Sequence, residues 1–550
     1  MKKDEFLHFV FIPLVIGLLG GFSAILFRWL INFFENIYTK IDFLHNNILY
    51  LISMPLIFYF SYILVTKLLF NTSNVTLDNI AKKISIHRGN FSILKGFLVL
   101  FLTSLNIGFG VPLGREAPIA KLGGLFGEVF LKLLNLSKIN IPIYLAASVS
   151  AAIAATFNAP LGGIILGIEI IIGKINTYIV IPMIVSSATA TMFAEEFLGD
   201  YIAFYVPHLE FSDKYFYIVP IEGVLFAFLA VLIFNFLNMF RELKVALRHQ
   251  WSKVVIFNGI LVGLLIYLVP QSMGVGYEHI TLLYQDVFSE SQVFSITIVK
   301  IIVVIISLGS GLFGGLMSPS IFIGTFGGYF IGSFFSSFGI DPKVSALIGS
   351  IAMLSAMSRA PLRSTVLIVE LTHSYQMLIP SLIVGSISSF IVAKFEPGGY
   401  FKRSLIQKGI DIENPRVVKF IEHLNFKKYY KELPTLKEET NAYEAFRIFK
   451  KSHSRYLAVV DDNGYLKGVV SVRDFRKHYF KKKKVTVSEI MSKHPIVFKE
   501  NSKIEEIVKI LGLLTSSYIP LVSKDNKYIT MIDMNKIFKD ISMHDRYKIL

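Results

Sequence analysis

Eleven long apolar stretches fill the chain between residue 8 and about residue 393, and Gly or Pro interrupts many of them. They lie near 8–34, 48–70, 92–110, 141–156, 176–194, 217–238, 254–270, 293–313, 320–338, 343–357 and 376–393. A helix needs about 20 apolar residues to cross a bilayer, and several of these stretches are shorter. Broken backbone at membrane depth is tolerated only where it is buried in protein or lines a cavity. In transporters such breaks surround the substrate site. The pattern therefore predicts an all-α polytopic membrane domain with broken helices. The first run extends from about Phe6 to Phe34, too long for the apolar core of a signal peptide, and reads as the first membrane helix.

The same region repeats itself. Gly114-Arg-Glu-Ala-Pro118 matches Gly315-Leu-Met-Ser-Pro319 at both ends, at a spacing of 201 residues (from 114 to 315). Gly123 and Gly324, Ala159-Pro160-Leu161 and Ala360-Pro361-Leu362, and Glu169 and Glu370 keep that spacing. A constant offset over more than fifty residues predicts two related halves, about 1–205 and 215–400. The spacing leaves open whether they run parallel or inverted.

Beyond residue 405 the texture changes. A polar, basic linker is expected at 406–430, followed by two tandem α/β units, about 431–485 and 486–550. The first has a helix near Ala442–Lys451, strands Tyr456–Val460 and Gly468–Ser471, and a turn at Asp461–Gly464. The second has a helix near Ile504–Leu514 and strands Tyr518–Val522 and Tyr528–Met531. About 31 of the 55 Lys and Arg lie after residue 400, against about 18 acids, so most of the net charge of +16 sits in this tail. Cytoplasmic parts of membrane proteins are rich in Lys and Arg, and that reading is preferred to nucleic-acid binding. With no cysteine, disulfides, thiolate metal sites and Cys nucleophiles are excluded.

Pro118 favours the first turn of a helix, which places Glu116 at a helix start within the membrane. Unpaired backbone N–H groups and the helix dipole attract anions there. An ionisable residue at membrane depth is a functional candidate; the bland alternative is that Glu116 caps the helix and pairs with Arg115. Gly315–Pro319 predicts a second helix start, with the N–H groups of Leu316, Met317 and Ser318 open. Two such ends facing one another form a positive cavity without a fixed cation, suited to binding and releasing a small anion.

Gly114-Arg-Glu-Ala-Pro118, Phe157-Asn-Ala-Pro160 with Glu169 downstream, and Gly315-x-Met-x-Pro319 resemble the signatures of the CLC family of chloride channels and chloride/proton antiporters. The tail resembles the paired CBS domains of many members. The resemblance implies an inverted-repeat membrane domain, a homodimer with one anion pathway per subunit, and chloride as substrate with no cofactor required. It makes Glu116 the gating glutamate. Arg115, Ala117 and Ser318 fall in the implied anion path, and Leu316 and Met317 supply its central N–H donors. Ser73 is the best match for the family's central serine, and the pore tyrosine falls on Phe401 or, one residue earlier, on Tyr400. Where exchangers of the family commonly carry a second glutamate, this chain has Ile170. An aliphatic side chain cannot pass a proton, so passive conduction is expected, with a proton-coupled chloride or fluoride antiporter as the alternative. Glu169 and Glu370 read as structural.

In the tail, Ser471 with Asp474 and Thr530 with Asp533 share the form hydroxyl, two residues, acid. N-capping explains this spacing. The resemblance offers a second explanation, an adenine nucleotide with its ribose on the acid and its phosphate on the hydroxyl. An intramembrane enzyme is disfavoured because no His-Glu-x-x-His occurs and the membrane acids are scattered. A sensor with the tail as output would leave the paired helix starts unexplained. The composition suits a bacterial inner membrane, with the tail in the cytoplasm.

Overall fold

The structure is a computed structural model. It describes residues 6–41, 49–68, 77, 80, 84, 91–134, 141–172, 177–199, 204–207, 209, 212–247 and 249–396. In the C-terminal part it describes 426–452, 454, 456–472, 474, 485–493, 495, 497–500, 518–523, 525–534 and 536–537. The chain divides into two units, Met1–Arg403 and Ser404–Leu550.

The first unit is helical among the described residues. Its first half holds α1 (Ile12–Ile41), α2 (Leu49–Leu68), α3 (Ile93–Gly108), α4 (Glu116–Leu133), α5 (Ile141–Phe157), α6 (Pro160–Leu166) and α7 (Thr177–Leu198). Its second half holds α8 (Tyr215–Ala246), α9 (Trp251–Leu268), α10 (Tyr277–Tyr284), α11 (Glu290–Ser310), α12 (Met317–Phe334), α13 (Pro342–Ser358), α14 (Pro361–Thr372) and α15 (Leu378–Phe395). Seven of the described helices are long and apolar enough to cross a membrane. Others are short and buried, as the broken runs predict.

The repeat is reproduced residue by residue. α4 and α12 each have 18 residues, and α5 and α13 each have 17, with both pairs in step at the sequence spacing. Before α6 and α14 the chain makes the same corner. Asn158 and Arg359 both have φ of 54°, followed by Ala159 at φ −140° and Ala360 at φ −135°. Pro160 and Pro361 then start their helices, where the missing proline N–H costs nothing. Gly114 and Gly315 pair antiparallel, each N–H donating to the other's carbonyl (2.9 and 2.6 Å). A reciprocal pair between equivalent residues is two-fold symmetric, as expected of two halves related by a pseudo-two-fold axis.

Close helix crossings rest on glycine. A Cβ on Gly123 would lie 2.7 Å from the Ser148 carbonyl oxygen, and one on Gly324 would lie 2.7 Å from the Ser350 Cα. Lys300, fully buried in α11, donates to the carbonyls of Ser272, Met273 and Gly274 at 3.0, 3.1 and 2.7 Å. A cation at this depth is thus neutralised by backbone dipoles.

In the second unit, strands β1 (Tyr430–Lys431), β4 (Phe498–Lys499), β5 (Tyr518–Val522) and β6 (Tyr528–Asp533) form a sheet in the order β1-β6-β5-β4. Strands β2 (Tyr456–Val460) and β3 (Leu466–Ser471) form a separate antiparallel pair. The expected helix at Ala442 is observed over Ala442–Ser452, whereas the one near Ile504–Leu514 lies outside the described residues. The two hairpins share a bulge at their last strand residue, Val460 in one and Val522 in the other, and a left-handed turn residue, Gly464 or Asn526.

Replacing Gly324 by Val is expected to lower stability by about 1–3 kcal/mol or more, because the helix backbones cannot separate without losing their shared packing. The thermal midpoint of the purified protein in detergent measures this, and an unchanged midpoint would refute the assigned crossing.

Candidate anion site

The Gly114–Gly315 pair brings two helix N-termini together. α4 begins at Glu116, one residue after its N-cap Arg115, and α12 begins at Met317, one residue after Leu316. Each helix N-terminus carries about half a positive charge. The Glu116 carboxylate crosses from its own helix to the other: its Oε1 accepts from the Ser318 N–H and from the Ser318 hydroxyl, each at 2.8 Å. The other oxygen, Oε2, has no hydrogen-bond partner among the described residues. Glu116 is 1% exposed and Ser318 fully buried.

The two glycines make this seat. A Cβ on either would collide with the Glu116 carboxylate, so no side chain can stand at 114 or 315 while the acid lies there. In that seat the carboxylate bonds Ser318. The Arg115 guanidinium instead lies over the rings of Phe157 and Tyr277, 5.2 and 5.6 Å from their centroids. Ala117, Leu316 and Met317 occupy the same two helical turns and are buried. The carboxylate is thus held by one backbone N–H, one hydroxyl and the dipole of α12.

Arg363 was not singled out from the sequence. It is fully buried in the first turn of α14 and interacts electrostatically with both Glu116 and Glu169. A charged residue in an apolar segment was the available signal, hidden because the segment was read for its Ala-Pro-Leu match. Glu370 accepts from the N–H groups of Leu161 and Gly162 at 2.9 and 2.7 Å, capping α6 from the other half. Ile170 lies in a π-helical turn, Gly167–Ile172, directly after Glu169. Ser73, Tyr400 and Phe401 lie outside the described residues.

In the second unit the hydroxyls and acids part company. Ser471 donates its N–H (2.9 Å) and hydroxyl (2.6 Å) to Asp474 Oδ2, a closed local pair. Thr530 lies within β6 and donates to the Lys431 carbonyl at 3.3 Å, while Asp533 accepts from the Lys536 N–H at 3.3 Å. The hairpins superpose Tyr456 on Tyr518, and that register places Asp533, not Thr530, at the position of Ser471.

The first unit is thus a polytopic helical domain of two related halves whose helix starts meet at one buried carboxylate. Residues 59–393 match the family model described as voltage gated chloride channel, and 429–481 and 487–542 match that of the CBS domain. The chain belongs to the voltage gated chloride channel family and carries a CBS pair. It is 30% identical over 306 residues to the H(+)/Cl(-) exchange transporter ClcA of Yersinia pestis bv. Antiqua (strain Angola), covering 53% of this chain and 63% of that protein. It is 27% identical over 304 residues to the protein of the same name from Vibrio campbellii, covering 53% and 65%. The chain thus spans less than two thirds of these relatives' length. In fold it is similar to a eukaryotic CLC transporter (TM-score 0.67, 19% identity, 96% of this chain and 98% of that one). It is similar also to a slow cyanobacterial Cl-/H+ antiporter (TM-score 0.64, 19% identity, 72% and 96%).

Ser318→Ala keeps the N–H but removes the hydroxyl. Losing a hydrogen bond to a charged group worth about 1.5–3 kcal/mol is expected to lower occupancy of the seat by the carboxylate roughly ten- to a hundredfold. Anion flux should rise accordingly in a liposome efflux assay; unchanged flux would show that the carboxylate does not limit passage.

Proposed function

We propose that the protein moves chloride passively across a membrane through the seat that Glu116 occupies, with the Glu116 carboxylate as its gate. The observation that carries this reading is the cross-repeat bonding from Ser318 to Glu116, in which a side-chain anion is held at a helix N-terminus by one backbone N–H and one hydroxyl. Chloride competes for the same donors. When the carboxylate is protonated it loses its charge and the strength of its bonds, and the seat empties. Ile170 and Arg363 support conduction without proton exchange. The first offers no proton-binding group after Glu169, and the second sets a permanent positive charge within reach of both Glu169 and Glu116.

The second reading is proton-coupled exchange of chloride or fluoride, and its relatives, named as H(+)/Cl(-) exchange transporters, favour exchange. We further propose a homodimer in a bacterial inner membrane, with the CBS pair as a cytoplasmic regulatory unit open to an adenine nucleotide.

Glu116→Gln is expected to raise chloride efflux from liposomes and to abolish its increase as pH falls. A pH response equal to that of the wild type would remove Glu116 from the gate. External pH recorded in the same cuvette separates the two readings: proton movement uphill, driven by chloride, would establish exchange and overturn passive conduction. A chain ending at Arg403 is expected to keep chloride flux and lose any response to ATP or AMP. Loss of all flux in a monodisperse truncation would assign the tail a structural role instead.

A further inference from the structure

Glu222 of α8 is fully buried, and the Ser345 hydroxyl of α13 stands against its carboxyl oxygen Oε1. The same hydroxyl lies 2.8 Å from the Gly328 carbonyl oxygen of α12. Ser345 therefore meets two acceptors and has one proton to give. If Glu222 is ionised, one of the two contacts sets acceptor against acceptor. The other carboxyl oxygen, Oε2, has no hydrogen-bond partner among the described residues, and a bare charge at this depth is costly. A proton on Glu222 removes both difficulties. Its O–H donates to Ser345, Ser345 donates to Gly328, and only a neutral carbonyl oxygen stays unpartnered.

The surroundings offer the acid no other compensation. Among the described residues no basic side chain interacts with Glu222. Lys300 of α11 is taken up by the carbonyls of Ser272, Met273 and Gly274. Tyr329 of α12 donates to Asp286, and α15 meets the neighbouring Gly223 with Ile387 and Val384. From α10, the buried Tyr284 interacts electrostatically with Glu222 and with Asp341, the exposed N-cap of α13. Both of these partners are acids, so neither favours an ionised Glu222.

We propose that Glu222 is a proton-binding site apart from the anion seat, whose proton clasps α8 and α13 to α12. Because α12 also carries Ser318, the clasp places a second protonation equilibrium on one wall of the seat. Its bearing on flux rests on the conduction reading; the bound proton does not. The folded protein keeps a proton that an unfolded glutamate releases at about pH 4.3. Stability therefore falls as pH rises above that value, until Glu222 itself ionises.

Infrared spectroscopy at neutral pH reads the proton directly. The spectrum of the wild type minus that of Glu222→Gln is expected to show a protonated carboxyl C=O stretch that shifts in D2O. Carboxylate stretches in its place would overturn the site. Ser345→Ala keeps the acid and is expected to move the same band, because its hydrogen bond is lost; a band at an unchanged position would sink the clasp. In a Glu116→Gln background, where the gate acid no longer titrates, rising pH is expected to lower the thermal midpoint. Adding Glu222→Gln should remove a contribution of about tenfold in the unfolding equilibrium per pH unit, and an equal fall in both proteins would refute the linkage. The infrared band in a protein that moves no chloride would uphold the proton site and sink the conduction reading instead.

Discussion

The reciprocal hydrogen bonds between Gly114 and Gly315 are the constraint on which the rest of the membrane unit depends. They lie directly against the Glu116 carboxylate, and a Cβ at either position would strike it. Once they form, α4 and α12 must start within a turn of each other, and their N-terminal charges add to about one unit. One monovalent anion balances that sum. The carboxylate supplies that charge, and the groups that bond it are the N–H and hydroxyl of Ser318 rather than a cation.

Symmetry in the backbone coexists with asymmetry in the side chains. At the repeat spacing, Arg115, Glu116 and Ala117 correspond to Leu316, Met317 and Ser318. One half brings the acid, and the other brings the hydroxyl that receives it. An acid at both positions would put two carboxylates on a site with charge for one, and like charges at that range cannot both stay ionised. The same division of labour recurs at α6, whose N-terminus is capped by Glu370 from the opposite half. Each half is incomplete until the other is in place, which ties the formation of the site to the packing of the whole unit.

How far this was legible in the sequence follows from the range of the forces involved. The helix starts at Glu116, Pro160, Met317 and Pro361 were visible because Gly and Pro restrict the local backbone, and the constant spacing carried them between halves. Strands Tyr456–Val460 and Tyr518–Val522 were visible as short apolar runs ended by turn residues. The partner of Glu116 was not visible. A bond between residues 116 and 318 leaves no local periodicity, and the adjacent Arg115 was the nearer candidate. Arg363 escaped for a related reason. Inside an apolar run it looked like a single exception, and only the fold shows it within reach of two acids. In the tail, spacing alone equated Ser471 with Thr530, whereas the strand pairing sets Ser471 against Asp533.

The placement of fixed charge bears on what can pass. An anion gains from every cation near its route, and the unit sets Arg363 near the seat itself. A proton gains from none of them, since each raises the cost of an excess positive charge. It needs instead a sequence of groups that can accept and release it. Glu116 is one such group, and Glu169, which like Glu116 interacts with the charge of Arg363, is followed by an isoleucine. If the chain conducts passively, as proposed, the side chains that favour a halide are the ones that disfavour a proton.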